Sequence, residues 1–212
     1  MNAPGPNVAA DADFSAEHCD ALQEVVNVAM GRAGATLAEL LGVFVRLSVP
    51  RVRVQRATRL EATLGGLIGG NGEVTAVRQA FTARMRGEAI VLFGEAGGAE
   101  LADLMGYEGE LTAPERREIL LDIANVLVGA CLGGLCEQLD MEPTFSAPSL
   151  LAESTPVSDL MLPNTLAWSH ALLVEVSFTL ESRGFSSHLL MLMPEDSIGL
   201  MREALDRVLE AL

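Results

Sequence analysis

The chain has 212 residues, half of them hydrophobic, a formal net charge of −15 and no lysine. That length allows a substantial core, and the acidic balance disfavours a phosphate backbone as partner, because such binding relies on Lys and Arg. The missing lysine excludes Schiff-base chemistry and a phosphate-loop lysine outright.

Residues 1–13 lack the positive and apolar regions of a signal peptide and read as a disordered tail. No apolar run approaches the roughly 20 residues needed to span a bilayer, so a cytoplasmic protein without membrane insertion is expected. A long helix over about 17–41 comes next and carries Asp20, Glu24 and Asn27. Two acids and an amide at i, i+4 and i+7 share one narrow helical face. That face is polar, whereas the neighbouring Leu22, Val25, Val26 and Val28 are apolar. Gly31 and Gly34 continue it without bulk, which suits either a partner's backbone or close packing inside the domain.

Alternation in Val43–Val49 and in Arg51–Val54 predicts an extended segment, and Pro50 fits a bulge or an edge there. Five of the 14 arginines (Arg46, Arg51, Arg53, Arg56, Arg59) crowd this stretch, as a solvated strand edge or as a basic patch for an acidic protein. Gly65, Gly66, Gly69, Gly70 and Asn71-Gly72 mark a loop or irregular strand. Strands over about 74–86 and 88–94 turn at Arg86-Gly87, and a helix over about 96–106 closes the first half.

A second long helix, about 114–139, carries Glu118, Asp122 and Asn125. Its Cys131 and Cys136 read as buried small hydrophobes. With Cys19 they make three cysteines that fit no metal spacing, and the odd count argues against a disulfide framework. His18, His170 and His188 are scattered and read as structural. Pro156 to Asn164 connects to strands over about 171–182 and 185–194, turning at Arg183-Gly184. A final helix, about 195–211, has Leu200, Ala204, Leu205, Val208 and Leu212 at helical spacing.

These elements occur twice in one order. At an offset of 98 residues Asn27 meets Asn125, Val28 meets Val126, Gly31 meets Gly129 and Leu37 meets Leu135, and Ser48-Val-Pro50 meets Ser146-Ala-Pro148, with no gap. Phe81 to Gly87 matches Phe178 to Gly184 at an offset of 97. The reading is a duplication. Residues 14–212 form one α+β domain of two repeats, about 14–110 and 111–212. A pseudo-twofold axis relates them, with an antiparallel sheet of about six strands and both long helices on one face.

The spacing Asp20-x3-Glu24-x2-Asn27-x22-Pro50 resembles the signature of the CheC/CheX/FliY family of bacterial chemotaxis phosphatases, in which Asp or Ser stands first. The likeness extends from about residue 14 over nearly the whole chain. It is greatest to CheC, which carries two such motifs and no added domain. The resemblance implies hydrolysis of the aspartyl phosphate on a CheY-like response regulator. Asn27 would orient the attacking water, Glu24 would pair with the receiver's lysine, and Asp20 would steer the contact. The receiver domain would bring its own Mg²⁺, and no cofactor of this chain is implied. A carboxamide suits the task because it accepts and donates hydrogen bonds without titrating, and a carboxylate anchors a lysine by a charge-assisted bond. The family also implies the receptor deamidase CheD as an additional partner.

The second motif departs from the pattern. Glu118 stands where Asp or Ser is wanted and Asp122 where Glu is wanted, while Asn125 and Pro148 are in place. Asp122 is one methylene shorter and reaches less far, and the first site is expected to carry most of the activity. Glu118 joins Asp20 as an expected partner contact. Two other readings compete: a module that binds a phosphorylated receiver or CheD without turnover, and a metalloenzyme using Glu24, Glu118 and Asp122. The metal reading lacks the Glu-x-x-His pair of a bundle-core dimetal site.

Overall fold

The architecture was obtained as a computed structural model, which describes residues 14–67, 72–94, 97–107, 109, 111–160, 170–180 and 185–210. The expected tail over 1–13, the turn at Arg183-Gly184, Gly69 to Asn71 and Leu212 lie outside these residues. Five helices and eight strands are named here in chain order.

Helix α1 (Ala16–Leu41) starts at Ser15, whose side chain accepts from the His18 N–H while the His18 ring returns a bond to the Ser15 N–H. It stops at Gly42, whose φ of +66° places it in the left-handed region that favours glycine. Helix α4 (Ala113–Gln138) opens on a capping box between Thr112 and Glu115, with a proline in its first turn. Those hydrogen bonds from Thr112 hold the Glu115 carboxyl below its usual range.

The strands are β1 (Val45–Leu47), β2 (Arg51–Arg56), β3 (Glu73–Thr82), β4 (Arg86–Gly94), β5 (Thr144–Phe145), β6 (Ser149–Pro156), β7 (His170–Leu180) and β8 (Ser186–Pro194). They build one antiparallel sheet in the order β1-β7-β8-β4-β3-β5, with β2 also on β7 and β6 also on β3. Eight strands therefore fill six places across the sheet. The first repeat's β1 and β2 pair with the second repeat's hairpin, and β5 and β6 pair with the first repeat's hairpin. Each repeat completes the other's sheet edge. Pro50 and Pro148 sit between the paired edge strands, where a missing N–H breaks no central ladder.

Helices α1, α4, α3 (Gly97–Leu104) and α5 (Glu195–Glu210) cover one face. Leu22, Val26, Ala29 and Met30 of α1 and Ile119, Ile123, Leu127 and Leu132 of α4 are buried there. Each large apolar side chain buried in this way contributes about 1.5–3 kcal/mol. Gly134 lets the two long helices touch: a Cβ there would lie 3.0 Å from the Cβ of Ala29. The short α2 (Leu60–Leu67) lies with the other face, where Leu60, Ile90, Leu92, Leu173 and Leu190 form a second cluster.

Several sequence expectations need correction. Gly65 and Gly66 belong to helix α2 rather than to a loop. The first hairpin turns at Ala83 to Met85, so Arg86 and Gly87 are strand residues. Gly87 faces Phe81 across the strands, but the residue opposite Phe178 is Ser187, not Gly184. The second hairpin is three residues longer at its turn, which shifts the match between β4 and β8 to an offset of 100. In α5 the inward side is Ile198, Met201, Ala204 and Leu205, whereas Leu200 is exposed.

Helix α4 is also long and apolar enough to cross a membrane, against the expectation that no segment is. Its apolar side is buried against α1 and the sheet. Cys131 and Cys136 lie in that contact, and all three cysteines are free. Burial pushes the Cys136 thiol up to about 11 and that of Cys131 further. A thiol reagent should therefore label at most Cys19 in the native protein, with the other two reacting only as the chain unfolds. Two fast thiols in a stopped-flow labelling trace would contradict this packing.

Candidate functional site

Asp20, Glu24 and Asn27 are all exposed on α1, and Glu118, Asp122 and Asn125 are exposed on α4. The capped helix fixes their spacing, and the apolar side of the same helix fixes which way they face. Gly31 lies further along the first stripe with nothing within 4 Å of where a Cβ would be. Gly34 is different: a Cβ there would meet Leu47 Cδ1 at 2.8 Å, so its smallness serves the contact between α1 and β1. The packing reading therefore holds for Gly34 and not for Gly31. Val28, one of the apolar neighbours of the stripe, is exposed beside Asn27.

The repeated Ser-x-Pro has a structural cause that its sequence did not show. The Ser48 N–H donates to the Ser177 carbonyl oxygen at 2.9 Å, and the Ser177 N–H donates to Ser48 Oγ at 2.9 Å. In the other repeat the Ser146 N–H donates to the Ala80 carbonyl oxygen at 2.9 Å, and the Ala80 N–H donates to Ser146 Oγ at 3.0 Å. Each serine therefore staples the segment after its motif helix onto the opposite hairpin. The proline that follows lets the chain leave that edge.

The surroundings of the two stripes differ. Beside the first runs an open groove of about 530 Å³, lined by Gln23, Ser48, Val49, Pro50, Arg51, Gly66, Glu175, Ser177 and His188. Glu175 is almost fully buried and is held by Arg53 at 2.6 Å and Arg51 at 3.7 Å. Two of the clustered arginines thus neutralise an internal acid at the sheet edge. Burial pushes the His188 imidazole below its usual range, and its Nδ1 lies 2.9 Å from Ser177 Oγ. Of the large apolar side chains exposed among the described residues, Val28, Leu40, Phe44 and Val49 all lie on α1 or on the chain leading from it to β2. His18 ties the start of α1 to α5 through Asp206, at 2.9 Å.

The second stripe is flanked by Arg116 and Arg117, and Arg117 is bound to Glu153 at 2.5 Å. That bond lowers the Glu153 carboxyl and raises the Arg117 guanidinium from their usual values. Sequence reasoning also missed Gln79, a buried amide on β3 that donates from Nε2 to Asn125 Oδ1 at 2.9 Å and to the Ser146 carbonyl oxygen at 2.8 Å. Among the described residues the Asn27 side chain has no such partner. No group of three or more His, Cys, Asp or Glu is clustered for a metal among the described residues.

No family model matches the sequence, and no curated protein does. The three-dimensional form does match solved structures. Thermotoga maritima FliY superposes with a TM-score of 0.70 at 22% identity, over 91% of this chain and 98% of that one. The chain has the FliY fold. A chain of the FliM–SpeE complex from H. pylori gives a TM-score of 0.62 at 12% identity, over 91% of this chain and 96% of that one. CheX from Desulfovibrio desulfuricans gives 0.53 at 15% identity, over 79% and 99%. The fold shared with FliY and CheX is the one the resemblance implied, and in this chain the stripe lies on the exposed side of α1.

Proposed function

We propose that this protein is a CheC-like member of the CheC/CheX/FliY group and hydrolyses the aspartyl phosphate of a CheY-like response regulator in the cytoplasm. The observation that carries the reading is the exposed Asp20, Glu24 and Asn27 stripe, at the family's full spacing from Pro50, on a fold shared with FliY and CheX. An acyl phosphate is already activated, so the ingredient a receiver lacks is a water held in line with phosphorus. The Asn27 carbonyl accepts one O–H of that water and aims its lone pair at phosphorus. The water oxygen forms the new P–O bond, and the bond from phosphorus to the aspartyl oxygen breaks. Its electron pair stays on the carboxylate, and the water proton leaves to phosphate or solvent. Glu24 anchors the receiver's lysine, Asp20 steers the approach, and the receiver's own Mg²⁺ neutralises the phosphoryl oxygens. The apolar fringe from Val28 to Val49 gives the receiver a surface to cover.

The second stripe is the weaker site. Asp122 is one methylene shorter than Glu24 and reaches less far toward a receiver's lysine. Asn125→Ala should therefore lower phosphate release much less than Asn27→Ala does, and equal losses would overturn the ranking. A second reading, an adaptor that binds a phosphorylated receiver or CheD without turnover, draws on the FliM likeness, since that protein is seen in complex with another. Steady-state phosphate release from a continuously phosphorylated CheY-type receiver separates the two. Release above that of the receiver alone supports the phosphatase; binding that depends on phosphorylation with no added release supports the adaptor.

A further inference from the structure

The two repeats place different residues beneath their asparagines. On the helix-covered face of the sheet, β3 presents Val77, Gln79 and Phe81, and β7 presents Val174, Val176 and Phe178. The pairing confirms that these runs correspond: Arg78 lies opposite Ser149 as Glu175 lies opposite Arg51. Ser146 docks at Ala80 as Ser48 docks at Ser177. Gln79 thus occupies beneath Asn125 the place that Val176 occupies in the other repeat.

The hydrogen bonds fix the direction of the Asn125 amide. The Ser146 carbonyl oxygen can only accept, so it holds the Gln79 NH₂ toward it. The same Nε2 donates to Asn125 Oδ1, which turns that oxygen inward and leaves Nδ2 outward. Rotating Asn125 would set two NH₂ groups against each other. The arrangement is kept although Gln79 Oε1 is buried without a partner, a cost that an apolar residue such as Val176 avoids.

A water attacking phosphorus points its lone pair at the phosphorus and its O–H bonds away, so the group that orients it must accept. We infer that Gln79 is a positioning residue that locks Asn125 with its donor outward. The second stripe then grips phosphoryl oxygens but does not orient water, and Val176 leaves Asn27 free to turn its carbonyl to the water. This rests on the phosphatase reading of the first stripe.

The test uses the full chain in an Asn27→Ala background, so that only the second stripe can act. Adding Gln79→Val supplies the residue that the other repeat carries. The residual kcat for receiver dephosphorylation should rise about 3- to 10-fold with KM unchanged. In the otherwise native protein, Val176→Gln should lower kcat at constant KM, and Val176→Leu should not. The Asn125 side-chain ¹⁵N and amide proton signals report the lock directly, and Gln79→Val should shift them. A folded double variant with shifted signals and no gain in kcat would overturn the gating role. Unmoved signals would overturn the lock itself. If the unsubstituted protein does not accelerate receiver decay, it is the phosphatase reading that falls, and the amide signals alone decide the lock.

Discussion

Asn27→Ala is expected to lower the rate at which the protein dephosphorylates a CheY-type receiver by about 10- to 100-fold, with KM little changed. The carboxamide is asked only to position a water, and its benefit is felt in the transition state. Misplacing one such group by the order of an ångström costs about 10²-fold. The loss is capped by whatever the second stripe still contributes. Glu24→Ala should behave differently, raising KM more than it lowers kcat, because its contact with the receiver's lysine forms in the ground state as well. Asp20, one turn earlier on the same exposed face, should act in the same direction with a smaller effect. These changes lie on the helix surface and leave the buried side of α1 untouched, so thermal stability should stay within about 0.5 kcal/mol of the unsubstituted protein. A variant that lost activity together with its fold would say nothing about the water.

The largest effect on stability is expected at Gly87. It lies in β4 directly opposite Phe81, whose ring covers it. A Cβ there would lie 2.5 Å from the carbonyl oxygen of Leu192 and closer still to the end of the Phe81 ring. Leu192 belongs to β8, which pairs β4 at the centre of the sheet, so its carbonyl cannot withdraw without opening that ladder, and the buried Phe81 ring can move only by repacking its surroundings. Gly87→Ala should destabilise by about 2–4 kcal/mol. For a chain of this size that is a fall in Tm of about 5–15 °C, readable by circular dichroism. Gly31→Ala is the control. That position is an exposed helix interior with open space around it, so the same substitution there should be neutral or stabilising by about 1 kcal/mol. Equal melting temperatures for Gly87→Ala and the unsubstituted protein would contradict the register of the first hairpin.

The parts legible in the sequence were those governed by short-range pattern. The apolar spacing and the repeated polar stripe located α1 and α4 to within a residue, and the two Ser-x-Pro segments located the edge strands. What was not legible depended on partners distant in the chain. Gly87 resembled a turn glycine because Arg86-Gly87 looks like one locally; its requirement comes from Phe81 above it and Leu192 beside it. The echo Phe178 to Gly184 reinforced the error, since the longer second hairpin sets Ser187 opposite Phe178 instead. Gly65 and Gly66 were read by their loop propensity, whereas helix α2 packs Leu60 into the second cluster.

Within the site, spacing named the stripe residues, and Glu118 and Asp122 marked the second stripe as the departing one, but the part of Gln79 was not read. A signal for it did exist: aligning Val77-x-Gln79-x-Phe81 with Val174-x-Val176-x-Phe178 leaves one amide in an apolar run. Only the fold shows that this amide lies beneath Asn125.

The central claim is most directly tested by following the decay of isotope-labelled aspartyl phosphate on a CheY-type receiver in a single turnover. The receiver is followed alone, with the protein, and with Asn27→Ala. The account predicts decay faster than the receiver's own with the protein present, and most of that acceleration gone in Asn27→Ala. Identical decay with and without the protein, or an acceleration that survives Asn27→Ala intact, would contradict it.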